Sequence, residues 1–365
     1  MQIGVSKGLL FVEAKMGQSA QGTSLRQRTF ERLRKAINGE DMDRHAAFHY
    51  YTYPFYQNAT GVELDSYFHC PKVMFDTQAQ TLEQMQWCGN FAPDTGAVAE
   101  CSALGGRVVF DQHGFISVKP APANTLEDLV RLQPGDPYGE NYMRVALEAL
   151  EYMCAHAPDG IGVNPPFVQG PVTIAAQLRG ISDFCMDTIL DEELVDELLE
   201  ITTETVINYL RAIEKTMGKP LGHILIADDL SSFLSEKMFW RFVQPAYQKL
   251  FAAFPQTQAW LHNDAKAGHI ISAIANSGFR AWQFAPSLDM DEVAEKSEGK
   301  IALIGGLSPL KMQNVSPQQM YDEAIETLRK FKGNKRCVLS AGGSLNQVSV
   351  ENALMMLRAA DEFVC

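Results

Sequence analysis

Ala259-Trp260-Leu261-His262-Asn263-Asp264 is a short apolar run that stops abruptly at polar residues. The same shape recurs three times downstream. Ala281-Trp282-Gln283-Phe284 runs into Ala285-Pro286-Ser287, Ile301-Ala302-Leu303-Ile304 into Gly305-Gly306, and Cys337-Val338-Leu339 into Ser340-Ala341-Gly342-Gly343. Helical patterns lie between them, among them 268–277 and 317–332. Strand, polar tip and helix at this spacing is the signature of parallel βα units. In a closed βα barrel the loops at the carboxyl ends of the strands converge on one mouth, where the chemistry collects. His262 and Asp264 stand at such a tip, two residues apart, so on a strand they face the same side. That spacing suits joint ligation of a metal, or a histidine held by a carboxylate as general acid; a pair that merely orders the loop is the plain alternative.

Upstream, 221–227 reads as another strand ending in Asp228-Asp229. One of these two is expected at the mouth, with Asp228 favoured, while N-capping of the next segment is the competing role for an aspartate there. A further strand is expected over 161–168, followed by Gly170-Pro171 and a helix from Val172, and a long amphipathic helix over 192–217. The pattern 235–254 predicts a helix broken by Pro245. Nearer the start, 24–38 is amphipathic and Gly39 stops it. A first barrel strand is expected over 46–53, whose aromatics offer walls for a flat substrate: His49, Tyr50 and Tyr53, continuing to Phe55, with Trp282 contributed from a later strand. Core packing is the even alternative for these rings. Residues 110–118 resemble a hairpin arm, 124–132 a short helix with Asn124 and Glu127 spaced as a capping box, and 141–155 a helix. Glu100 and Cys101 gain nothing local that demands a ligand role, and His223 reads as a core histidine within its strand.

The totals bound the function. The formal charge of −13 and the lack of any basic block argue against nucleic acid or an anionic membrane as partner. No apolar run approaches the roughly 18 residues that span a bilayer. Residues 1–23 are read as a poorly defined leader without a signal-peptide core, and 24–365 as one α/β domain. Seven scattered cysteines, none in a Cys-x-x-Cys pair, suit reduced thiols and a cytoplasmic location.

The run Gly170-Pro171-Val172-Thr173-Ile174-Ala175-Ala176-Gln177-Leu178-Arg179-Gly180 resembles the uroporphyrinogen decarboxylase superfamily, as do Ile226-Ala227-Asp228-Asp229, Leu234-Ser235, Phe239, Phe242, Pro245 and Tyr247. His262-x-Asp264, Gly305-Gly306, Gly342-Gly343 and Val350-Glu351-Asn352 add to the likeness, which extends from about Ser24 to the end. The resemblance implies a (β/α)8 TIM-type barrel, here with an N-terminal helical extension, and a site at its carboxyl face. True decarboxylases of that superfamily carry an early arginine-rich run for substrate carboxylates, whereas this chain has Phe48-His49-Tyr50-Tyr51-Thr52-Tyr53-Pro54. The other branch, the corrinoid-dependent methyltransferases, passes methyl groups between a small methylated compound or coenzyme M and the cobalt of a separate corrinoid protein. Its zinc-thiol members have His-x-Cys and a distal cysteine; here Asp264 and Gly343 take those places. The expectation that follows is demethylation of a small substrate, an aromatic methyl ether, with zinc or another divalent metal at His262 and Asp264. His262, Asp264 and Asp228 would be catalytic, and cobalamin would be supplied by a partner protein. A homodimer is one possible assembly. A decarboxylase of a small acid and a non-catalytic binding barrel are the rival readings.

Overall fold

The computed structural model describes residues 24–119, 125–331 and 333–364. The expected leader and the capping role of Asn124 lie outside the described residues. Nine strands are described: β1 (Ala46–Ala47), β2 (Arg107–Phe110), β3 (Ile116–Lys119), β4 (Val168–Gln169), β5 (His223–Ala227), β6 (Gln258–Asn263), β7 (Ala281–Phe284), β8 (Ala302–Leu307) and β9 (Cys337–Ala341). Seven of them form one sheet in the order β1-β9-β8-β7-β6-β5-β4, parallel at every pairing, while β2 and β3 form the expected antiparallel hairpin. Between β1 and β4, an isolated parallel bridge from Phe91 to Val163 holds the remaining barrel position. The Phe91 amide donates to the Gly162 carbonyl at 3.0 Å, and the Asn164 amide to Phe91 at 2.8 Å. The result is an α/β barrel of the TIM type.

Two strands are shorter than their sequence suggests. The expected strand over 161–168 is paired only at Val163 and in Val168–Gln169. The expected first strand over 46–53 pairs with β9 at Ala46 and Ala47 and through the Phe48 amide, and then turns into the helix Tyr53–Thr60. Pro54 sits in the first turn of that helix, where a missing N–H costs nothing and its fixed φ is already helical. The aromatic run thus mixes strand and helix, and its β propensity misleads.

Other local signals act as expected. Ser24 closes a capping box on the helix Leu25–Asn38, and Gly39 ends it in the left-handed region. Asn141 caps Tyr142–His156, Ser316 caps Pro317–Lys330, and Glu192–Met217 is one continuous helix. Around Pro245 the chain takes a π turn over Phe239–Val243 before the helix Gln244–Ala253. Widening the turn relieves the clash that a proline ring makes with the preceding turn of an α-helix.

The core divides in two. Trp282, Phe284, Leu261 and Leu303 point outward into the large helix-covered layer. Inside the barrel floor, Ala46, Phe48, Trp260, Ala281, Ala302, Ile304 and Val338 meet Leu33, Ala36 and Ile37 of the helix Leu25–Asn38. Fully burying one such leucine or isoleucine is worth roughly 1.5–3 kcal/mol. Several of these residues begin their strands, so the N-terminal helix plugs the amino end of the barrel. Arg32, almost fully buried, fixes that plug through Asp43 and Asp361, both at 2.6 Å. The carboxyl end is left open.

Candidate active site

The open end holds a cavity of about 440 Å³, a size suited to a small molecule. Three ligand-type side chains converge on it. β6 carries His262, its following turn carries Asp264, and β5 is followed at once by Asp228 and Asp229. Register pairs Ala227 with His262 and His262 with Gln283, so these tips are level with one another. The imidazole Nε2 of His262 lies 3.8 Å from Asp229 Oδ1 and 3.9 Å from Asp264 Oδ2. One donor atom from each of the three residues falls within 4.8 Å of the others. The nitrogen–oxygen separations are too long for hydrogen bonds. Ligand atoms about 2.1 Å from a tetrahedral zinc sit roughly 3.4 Å apart, so each of the two nitrogen–oxygen separations would close by about half an ångström around such an ion.

Two other observations fit a cation there. Gln283 donates its amide Nε2–H to the Ala341 carbonyl at 2.8 Å, which leaves its Oε1 facing His262 Nδ1 at 2.9 Å. The acceptor at Nδ1 calls for a proton there, so Nε2 offers its lone pair to the two carboxylates' side, where a metal would sit. Two carboxylates and one neutral imidazole also carry the charge that a divalent ion balances. Burial pushes the His262 pKa down, yet Asp229, Asp264 and Gln283 outweigh it and leave the value above the ordinary 6.5. Burial raises the Asp264 carboxyl, with His262 opposing and Asp229 adding. Like charges held together in this way are relieved by a cation.

Gly343 completes the arrangement. Its φ of +137° lies in the region that side chains rarely adopt, and an added Cβ would stand 2.8 Å from Asp264 Oδ2. The longer carboxylate at 264 thus occupies space that only a glycine at 343 leaves free.

The structure separates the expected site residues. His262 and Asp264 are together, and His49, Tyr50 and Tyr53 line the same cavity. His49 Nδ1 lies 3.0 Å from Ser340 Oγ, and burial, helped by His262, holds its pKa down at about 3. Asp228, by contrast, is fully buried away from the cavity. Its carboxylate accepts from the Thr173 amide and from the Tyr247 hydroxyl, each at 2.7 Å. It caps the start of the helix Pro171–Arg179, and burial raises its pKa to about 6. Gly170 passes so close that a Cβ there would fall 2.1 Å from Asp228 Cγ. Asp229 takes the mouth position instead. Phe55 is fully buried and stacks on Tyr51 at 4.8 Å, and Trp282 is buried outside the barrel; neither lines the cavity. Side chains alternate along a strand, so once His262 faces inward its register partner Gln283 must do so, and Trp282 cannot.

Gln283 and Asp94 are among the lining residues that escaped the sequence reading. Gln283 was readable by that parity argument. Asp94, which follows the Phe91 bridge, accepts from the Tyr53 and Gly96 amides, and burial raises it to about 6. Nothing in its local sequence marks it.

Comparison with known proteins places this geometry. The profile of the family described as uroporphyrinogen decarboxylase (URO-D) matches residues 28–363. The chain belongs to that family. A methylcobamide:CoM methyltransferase, MtaA, from Methanosarcina barkeri is 27% identical over 262 residues, covering 68% of this chain and 71% of its own. A methylated-thiol–coenzyme M methyltransferase from Methanosarcina mazei is 24% identical over 208 residues, 56% of this chain and 54% of its own. Among solved structures, a methyltransferase from Methanosarcina mazei superposes with a TM-score of 0.78 at 22% identity, covering 94% of this chain and 99% of that one. That similarity supports the barrel fold.

Proposed function

We propose that this URO-D family chain is a cytoplasmic methyltransferase that moves a methyl group from a small methylated compound, an aromatic methyl ether, to the cobalt of a separate corrinoid protein. The observation that carries the reading is the Asp229–His262–Asp264 triad facing an aromatic-walled cavity at the open end of the barrel. In breaking a methyl–oxygen bond the electron pair stays on oxygen, and an alkoxide or phenoxide leaves poorly. A divalent metal at the triad would supply Lewis acidity to that oxygen. The chain's own residues do the rest. Gln283 orients His262, Asp94 ties the Tyr53 helix to the wall, and the Tyr50 hydroxyl is fixed on the Pro165 carbonyl at 2.9 Å. Aromatic faces then hold a flat donor with its methyl group toward the mouth.

The relatives named above act with coenzyme M or methylated thiols. Thiolate ligands suit zinc that activates a thiol, whereas this oxygen-rich set makes a harder site and suits an oxygen leaving group. The decarboxylase alternative needs a cationic seat for a carboxylate, and among the described residues no lysine or arginine lines the cavity. The test mixes the purified protein with a cob(I)alamin-loaded partner and a panel of methoxylated aromatics and follows the cobalt spectrum. Cobalt methylation by at least one donor is expected; none across the panel refutes the proposal.

A further inference from the structure

We infer that the cavity admits only methyl donors without an anionic group, so that a carboxylated analogue of a good donor is turned away on charge. The word donor rests on the methyl-transfer reading; the charge preference rests on the wall alone.

An anion needs either a cationic side chain or free hydrogen-bond donors to replace its water. Among the described residues the wall has no lysine or arginine and few free donors. Its two basic side chains are His262, whose Nε2 is turned toward Asp229 and Asp264, and His49, buried and bound to Ser340. Most of the neutral donors are engaged. The Tyr50 hydroxyl is given to Pro165, the Gln283 amide to Ala341, and Thr52 and Ser344 bond each other at 3.0 Å. Among the described lining side chains, His49 Nε2 is buried without a partner, and the amide of Asn346 stands on the exposed rim.

The fixed charge has the opposite sign. Asp94, Asp229 and Asp264 all face the cavity. A divalent ion held there would balance Asp229 and Asp264 and leave Asp94, whose oxygens are turned to the Tyr53 and Gly96 amides. A neutral ring meets Tyr53, Phe115 and Phe167 at no such penalty. A ring bearing a carboxylate would bring an unpaired negative charge into a wall that is already negative.

The test is calorimetric binding to the full chain, with and without zinc, using pairs that differ by one carboxylate. One pair is 2-methoxyphenol and 4-hydroxy-3-methoxybenzoate; another is ethyl methyl sulfide and 3-(methylthio)propanoate. The carboxylated member is expected to bind more weakly by about a hundredfold, the scale of an uncompensated buried charge. In Asn346→Arg the gap should narrow by about tenfold, since a rim guanidinium supplies the missing partner. Equal or tighter binding of the carboxylated members by the unaltered protein, in either metal state, overturns the inference. If the aryl ethers fail to methylate cobalt, the functional reading falls, yet the ratio within the thioether pair still decides this one.

Discussion

Gly343→Ala isolates the relation between the Gly-rich tip of β9 and the candidate metal ligands. The methyl group added there would stand 2.8 Å from Asp264 Oδ2 and would have to be carried at a φ of +137°. Holding an alanine in that backbone region costs about 1–3 kcal/mol, and the collision adds to it by driving the Asp264 carboxylate away from His262. If that carboxylate is a ligand, zinc affinity should fall by about ten- to a hundredfold, the range seen when a ligand's support is disturbed. Competition against a chromogenic chelator reads the affinity, and thermal unfolding with and without zinc reads the strain. A second background separates the two effects. In Asp264→Ser the shorter side chain leaves room for the methyl group, so adding Gly343→Ala should lower the melting temperature again while barely changing the residual affinity. Zinc binding by Gly343→Ala equal to that of the unaltered protein refutes the reasoning. An equal loss in both backgrounds would show that position 343 acts through the backbone rather than through Asp264.

The two adjacent aspartates should part company. Asp229→Asn is expected to cut zinc affinity at least about tenfold with little change in melting temperature. Asp228→Ala, which orphans the buried Thr173 amide and Tyr247 hydroxyl, should lower stability by about 2–4 kcal/mol in denaturant titration. Gln283→Leu frees the His262 ring to take the other tautomer, so zinc affinity should drop about ten- to a hundredfold. His49, with a folded value of about 3 against the ordinary 6.5, stays neutral in the fold while the unfolded chain takes up a proton. Its contribution is present above pH 6.5 and is lost as the pH falls toward 3; between pH 6.5 and 4.5 the loss is about 2–3 kcal/mol. Asp94 and Asp228, both raised to about 6, act with the opposite sign over much of that interval. The comparison is therefore between the unaltered protein and His49→Gln, whose unfolding free energy should fall less steeply with acid.

The parallel architecture was legible because β6 to β9 each join an apolar run to a polar tip, a pattern that survives without knowledge of partners. Long helices and their caps were equally plain, since Ser24, Asn141 and Ser316 act on backbone amides within three residues of themselves. The early aromatic stretch was not, because Pro54 starts a helix where β-prone rings argue for a strand. Within the site, His262 and Asp264 could be found by spacing. Choosing between Asp228 and Asp229 could not be done that way: it turns on a helix start some 55 residues earlier, whose Thr173 amide claims the first carboxylate. Trp282 was an avoidable error. Strand parity from His262 already assigns the inward place to Gln283.

These pieces combine into one constraint on chemistry. Placing a carboxylate at 264 lengthens the side chain toward the tip of β9, and Gly343 yields the room; neither position can be interpreted alone. On the proposed function, oxygen donors where the resembled zinc-thiol members have sulfur would favour a hard leaving atom in the methyl donor. The triad's two negative charges also remove any net positive potential that a bound divalent ion would otherwise present to an incoming anion. A variant carrying Asp264→Cys with Gly343→Cys should therefore bind zinc through thiolates and accept thiols in place of aryl ethers. Retention of aryl ether turnover in that variant would show that the wall, and not the ligand set, selects the donor.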